Sequence, residues 1–122
     1  MRVFKYSWFA RFARKEGIGD GELKAIVNDA LETGQVEADL GGGVYKVRVA
    51  RPGEGKSGGY RVIVYFKSRF RTFFVYGFEK SDRANIGEGE LQAFKKDAKY
   101  DFALTDEQIR AWLDKGSLIE VL

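Results

Sequence analysis

Hydrophobic and polar positions alternate most regularly between Gly41 and Phe66, in GGGVYKVRVARPGEGKSGGYRVIVYF. Tyr45, Val47 and Val49 alternate with Lys46 and Arg48, and a period of two predicts a strand with one buried face. After a glycine-rich connection the alternation resumes. Tyr60, Val62, Val64 and Phe66 fall on one face, and Arg61, Ile63 and Tyr65 on the other. The connection RPGEGKSGG holds the only proline, Pro52, which stops the first strand from running on, and it reads as a long hairpin loop. KSRFR then makes a basic turn and TFFVYGF a third strand. Three consecutive strands with short links predict an antiparallel sheet.

Helical periodicity flanks this meander. Val3 and Phe4 start a short strand or extended lead. Ser7 is placed to cap a helix over WFARFARKEG, with Trp8, Phe9 and Phe12 on its core side and Gly17 as its stop. Leu23, Ile26, Val27, Ala30 and Leu31 follow the spacing of a second amphipathic helix, from an Asp20 N-cap to Gly34. Leu91, Phe94 and Ala98 mark a third helix ending near Tyr100. Thr105 and Gln108 form a capping box for a fourth, carrying Ile109, Trp112 and Leu113 and stopping at Gly116. The tail SLIEVL adds an edge strand or docks on the core. The expected fold is α+β: an antiparallel sheet with the two N-terminal helices packed on one face, C-terminal helices following, and the other face open as a groove.

Composition sharpens this picture. The 122 residues suit one domain, and an apolar fraction of 44% supports a packed core. The net charge is only +3, but it is unevenly spread. Tyr45 to Arg83 holds ten Lys/Arg against three Asp/Glu, a net of +7, while the remainder carries −4. A basic sheet face suits a polyanion, which points to nucleic acid. The plain alternative is a solvated face balanced by acidic helices. Cysteine and histidine are both absent. Disulfides, thiol nucleophiles, Ser-His-Asp triads and most transition-metal sites are thereby excluded, and catalysis must run through Lys, Arg, Tyr or carboxylates. The carboxylates are scattered, so no metal site or cofactor is expected. No apolar run reaches membrane-spanning length and no signal-peptide pattern opens the chain, so no membrane partner and a cytoplasmic location are expected.

Three candidate sites emerge. Ala50 to Ser57, ARPGEGKS, nearly matches a phosphate-binding P-loop, but its first glycine is an alanine and a strand pattern follows Lys56 instead of a helix. A hairpin loop, with Lys56 able to close over a nucleic-acid backbone, is the better reading. Lys46, Arg48 and Arg61 form the second set, projecting from adjacent strands beside Tyr65. Any one of them is ordinarily a solubility residue; three together suggest a phosphate site. Lys80 and Arg83 follow the third strand, where they can close the same groove or simply start a charged helix. Tyr65 and Tyr76 are the aromatic candidates for base stacking.

The order helix, helix, YKVRVA, GGYRVIVYF, FFVYGFEKSDRANI resembles the RelE/HigB toxins of bacterial type II toxin–antitoxin systems, over roughly Met1 to Ala98. The glycine-rich GEGKSGG hairpin looks most like the HigB-type branch. The resemblance implies a RelE-like α+β domain over residues 1–122, with a helical extension at about 104–122. It implies a ribosome-dependent mRNA endoribonuclease that inhibits translation. Its partners would be the ribosome, mRNA and a cognate antitoxin, a small helix-turn-helix DNA-binding protein. By position, Lys46, Arg48, Arg61, Lys80 and Arg83 correspond to the family's catalytic cations, while Arg51, Lys56, Tyr65 and Arg71 are expected to contact RNA. Arg61 would stabilise the phosphate, Lys46 or Lys80 would move a proton, and Arg48 and Lys56 would position the RNA. The chain departs from the pattern at Ser81, where RelE is basic, and at Ile86–Gly87, where a catalytic tyrosine falls. The general base is therefore left open. A ParE-like gyrase-directed toxin, a non-catalytic RNA-binding module and a toxin that has lost its activity are the alternatives.

Overall fold

A computed structural model describes residues 1–50, 59–79 and 85–122. The strands are β1 (Arg2–Tyr6), β2 (Ala38–Gly41), β3 (Val44–Val49), β4 (Tyr60–Lys67), β5 (Arg71–Glu79) and β6 (Leu118–Glu120). They form one six-stranded sheet in the order β2-β3-β4-β5-β1-β6. The expected meander β3-β4-β5 is its antiparallel centre, and the tail supplies the edge strand β6, antiparallel to β1. One pair departs from the expected pattern: β1 runs parallel to β5. The chain between β1 and β5 runs through α1, α2 and the strands β2, β3 and β4, a crossover long enough for the two strands to run in the same direction.

The helices α1 (Ser7–Glu16) and α2 (Asp20–Ile26, continuing as a π-helical turn Val27–Leu31) cover one face. Phe9, Ala13, Leu23, Val27 and Leu31 pack there on Val47, Val49, Tyr60, Val62, Val64, Phe66 and Phe74. This is the apolar face that the alternation in β3 and β4 predicts. Gly17, in the left-handed region at φ 74°, ends α1 as expected. Gly77 on β5 is needed for a different reason. A Cβ there would stand 2.2 Å from Phe12 Cε2, so only glycine lets α1 lie this close to the sheet. Trp8 is not in the core: it is 42% exposed and stacks on Tyr76 with ring centroids 4.9 Å apart.

The opposite face is not an open groove. Helices α3 (Glu88–Phe102) and α4 (Asp106–Asp114) lie over it. Phe4, Val44, Ile63, Tyr65, Phe73, Val75 and Leu118 are buried there together with Ala98, Leu104 and Ile109. The physical reason is the composition of that face, which is too apolar to leave in water, together with the apolar stripes of the two C-terminal helices. The Thr105–Gln108 capping box forms as predicted: Gln108 N donates to Thr105 Oγ1 at 3.1 Å, and Thr105 N donates to Gln108 Oε1 at 2.8 Å.

Two expected RNA contacts are consumed by this second layer. Tyr65 is fully buried, and its hydroxyl donates to Asp97 Oδ2 of α3 at 2.8 Å, so its ring has no free face for a base. Arg71 is buried too. Its Nη1 donates to the carbonyls of Leu104 (2.7 Å) and Asp101 (3.3 Å), and its Nη2 to Asp106 Oδ1 (3.3 Å). It therefore joins the C-terminal end of α3, where orphan carbonyls need donors, to the first turn of α4.

Candidate functional site

The alternation of β3 and β4 places Lys46, Arg48 and Arg61 on the same side of the sheet. Arg48 and Arg61 are direct register partners, and Lys46 pairs with Ile63, one pleat further along. Like charges directly opposite one another repel. The structure offsets this with an acid that the strand pattern does not reveal. Glu37 enters from the segment before β2, held in place by its own backbone N–H, which donates to the Lys46 carbonyl at 3.0 Å.

Its carboxylate gathers all three cations. Arg48 Nε lies 2.9 Å from Glu37 Oε1, Arg61 Nε 3.0 Å from Oε2, and Lys46 Nζ 3.7 Å from Oε2. Lys46 Nζ also donates to Asn85 Oδ1 at 3.2 Å, which ties β3 to the segment leading into α3. Burial alone would raise the Glu37 pKa. The hydrogen bond from Arg48 and the charges of Lys46, Arg61 and Arg48 outweigh it and hold the carboxyl below the usual carboxylate range.

Arg61 differs from its sequence reading in one important respect. It is only 2% exposed, not solvated. Its Nη1 and Nη2 are both buried and have no hydrogen-bond partner among the described residues. Arg48, by contrast, is exposed. The cluster thus combines a fixed, buried guanidinium with a freer one, joined by one carboxylate. Its chemical capacity is clear: it can bind an oxyanion through the unpaired Arg61 donors, and it holds an ionised carboxylate able to accept a proton.

Lys80, Arg83, Arg51 and Lys56, singled out in the sequence, lie outside the described residues. Tyr76 remains half-buried beside Trp8, in the row that runs from Lys46 through Ile63. Glu37 is the functional candidate that sequence reading missed. Nothing local marks it, since it sits outside the meander in a stretch without periodicity.

The described site is thus a set of Lys and Arg gathered around Glu37 on an α+β fold, in a chain without histidine or cysteine. The comparison with known families is specific. The model of the RelE toxin of the RelE/RelB toxin–antitoxin system matches residues 1–121, so the chain belongs to the RelE toxin family, and its C-terminal helix and β6 lie inside the match. Membership makes it the toxin of a toxin–antitoxin system, with a cognate antitoxin as partner. Among the described residues no helix is long and apolar enough to cross a membrane.

Proposed function

We propose that this toxin is an endoribonuclease of the HigB-like type that cuts mRNA on the ribosome and so inhibits translation in the cytoplasm. The observation that carries the reading is the Glu37 cluster, above all the two buried Arg61 nitrogens that lack partners among the described residues. Unpaired buried donors are costly, and an oxyanion is the group that relieves the cost.

In this reading the 2′-oxygen attacks the adjacent phosphorus, forming the P–O2′ bond, and the bond from phosphorus to the 5′-oxygen breaks. Glu37 accepts the 2′-hydroxyl proton, since three neighbouring cations keep it ionised at neutral pH. Arg61 holds the phosphorane oxygens, with its planar fork suited to two contacts. A donor of this kind contributes about 3–4 kcal/mol, or roughly a hundred- to thousand-fold in rate. Lys46 gives the leaving 5′-oxygen a proton, and Arg48 positions the strand. By the family resemblance Lys80 and Arg83 are further catalytic cations, and Arg51 and Lys56 further RNA contacts. Glu37 is a weak base because its pKa is low, so the ribosome must supply much of the rate by holding the substrate in line. The antitoxin, a small helix-turn-helix protein, would neutralise the same cations.

The test is inducible expression with mapping of mRNA 5′ ends. Growth arrest with new ends inside reading frames is the expected result. Arrest with intact mRNA would replace this reading with a gyrase-directed toxin.

A further inference from the structure

A second cationic cluster lies at the other end of β4. Along that strand Arg61, Ile63, Tyr65 and Lys67 share one side, so Lys67 stands on the same side as Arg61, six residues away. At strand rise this is about 20 Å. Between them α3 covers Ile63 and Tyr65.

The helix is polarised in an unusual sense. Of its four acids, Glu88 and Glu90 sit in the first turn, while Asp97 and Asp101 face the sheet, where they meet Tyr65 and Tyr6. Lys95 and Lys99, four residues apart and hence on one ridge, line a cleft with Lys67, Gly42, Phe102 and Ala103. The cleft measures about 450 Å³, and no acidic side chain lines it. None of the three lysines is ion-paired among the described residues; Lys67 lies over the Phe70 ring at 5.6 Å.

The turn between β2 and β3 is shaped to admit this arrangement. Gly43 has φ 83°, and a Cβ on it would stand 2.7 Å from Phe102 Cε2. A Cβ on Gly42 would touch the Lys95 stem at 3.6 Å. Gly43 thus lets Phe102 close against the turn, and the Lys95 stem lies over Gly41 and Gly42 at the cleft's edge. Lys95 and Lys99 repel each other at this spacing, and among the described residues no acid pairs with either, which is a cost to the isolated fold that an anionic partner removes.

We infer that the Lys67–Lys95–Lys99 cleft is a second RNA contact, gripping the sugar-phosphate backbone about 20 Å from the Glu37 cluster. Two cationic clusters on one side of the sheet, separated by a helix, fit a single extended polyanion better than a compact anion. RNA is the polyanion that the first cluster already suits. The inference therefore rests on the RNA-directed reading of the Glu37 cluster, but it concerns binding, not cleavage.

The experiment measures the affinity of the full chain for a 2′-O-methylated RNA hairpin, which cannot be cut, as a function of salt. Each lost phosphate contact lowers the slope of log K against log salt by roughly 0.7–0.9. The triple variant Lys67→Ala, Lys95→Ala, Lys99→Ala should lower it by about 2 and weaken binding at least tenfold at low salt. A control triple variant, Lys15→Ala, Lys24→Ala, Lys115→Ala, removes the same charge from exposed sites elsewhere and should leave the slope unchanged. Replacement of the cleft lysines by arginine should keep it. Thermal melts accompany each variant, so a folding defect is recognised, and the arginine variant then decides. Equal slopes in the cleft and control variants, no RNA binding by the wild type, or loss of antitoxin binding with RNA binding intact would each overturn the inference. Failure of wild-type cleavage with the cleft slope preserved would instead count against the nuclease reading alone.

Discussion

Arg48 and Arg61 face each other across the β3–β4 ladder, and among the described residues one carboxylate, Glu37, bonds to both. Two guanidinium groups in register would repel, so the acid is a condition for the cluster to exist at rest. Two predictions follow from the same contact, one for stability and one for chemistry.

Glu37→Gln keeps the shape and removes the charge. The folded-state pKa of Glu37 is lowered, so its ionisation stabilises the fold above the unfolded-state value and that contribution is lost as pH falls through the folded value. The wild type should lose stability on acidification below about pH 4.5, and the variant should lose less. At neutral pH the variant should be less stable by about 1–3 kcal/mol, because three cations are left without their acid. Denaturant midpoints across pH check this; superimposable acid limbs for the two proteins would show that Glu37 is not held by the cations.

Arg61 separates charge from geometry. Arg61→Ala should cost stability as well as activity, because the residue is buried and joined to Glu37. Arg61→Lys retains the charge but not the planar fork. It should melt closer to the wild type than Arg61→Ala and still lose about a hundredfold or more in cleavage rate. A lysine variant that cuts at the wild-type rate would remove the bidentate role.

Asp101 makes the opposite pH signature. It is buried on α3 beside Asp97, with the Tyr6 hydroxyl between them, Tyr65 bonded to Asp97 and Arg71 near by. Burial, reinforced by the charge of Asp97, pushes Asp101 up to about 7, against the opposing pull of Tyr6 and Arg71. A raised carboxyl pKa favours the fold at low pH, and the benefit disappears as pH rises from about 4 to about 7. The swing is of order 4 kcal/mol. Asp101→Asn should flatten this limb and raise the melting temperature above about pH 7. An asparagine variant that is less stable than the wild type throughout would contradict it.

Gly77→Ala tests the packing of α1. The added Cβ would overlap Phe12, whose ring must shift. Overpacking of this kind costs about 1–3 kcal/mol. The urea midpoint should fall, with RNA affinity retained; an unchanged midpoint would mean the α1–β5 contact yields freely.

Much of this architecture is legible in the chain because local signals agree. Val62, Val64 and Phe66 alternate cleanly, Gly17 and the Thr105–Gln108 box mark helix ends, and all fall where expected. The second face misled because Lys46, Arg48 and Arg61 set its apparent polarity, while Ile63, Tyr65, Phe73 and Val75 set its burial. The near-continuous apolar runs of β4 and β5 are the signal for a strand covered on both sides. Arg71 read as a surface cation because its partners are backbone carbonyls 30 and 33 residues away, which no sequence pattern displays. Glu37 was invisible for the same reason: its meaning lies in three partners on the strands β3 and β4.

The central claim is that the Glu37 cluster cleaves ribosome-bound mRNA. Its most direct test is cleavage by purified toxin of an mRNA programmed on ribosomes, beside the same RNA free in solution, with wild type, Arg61→Lys and Glu37→Gln. The account predicts efficient cutting on the ribosome by the wild type, weak cutting of free RNA, and a loss of about a hundredfold or more on the ribosome for both variants. Equal rates on the two substrates, or variants as active as the wild type, would contradict it.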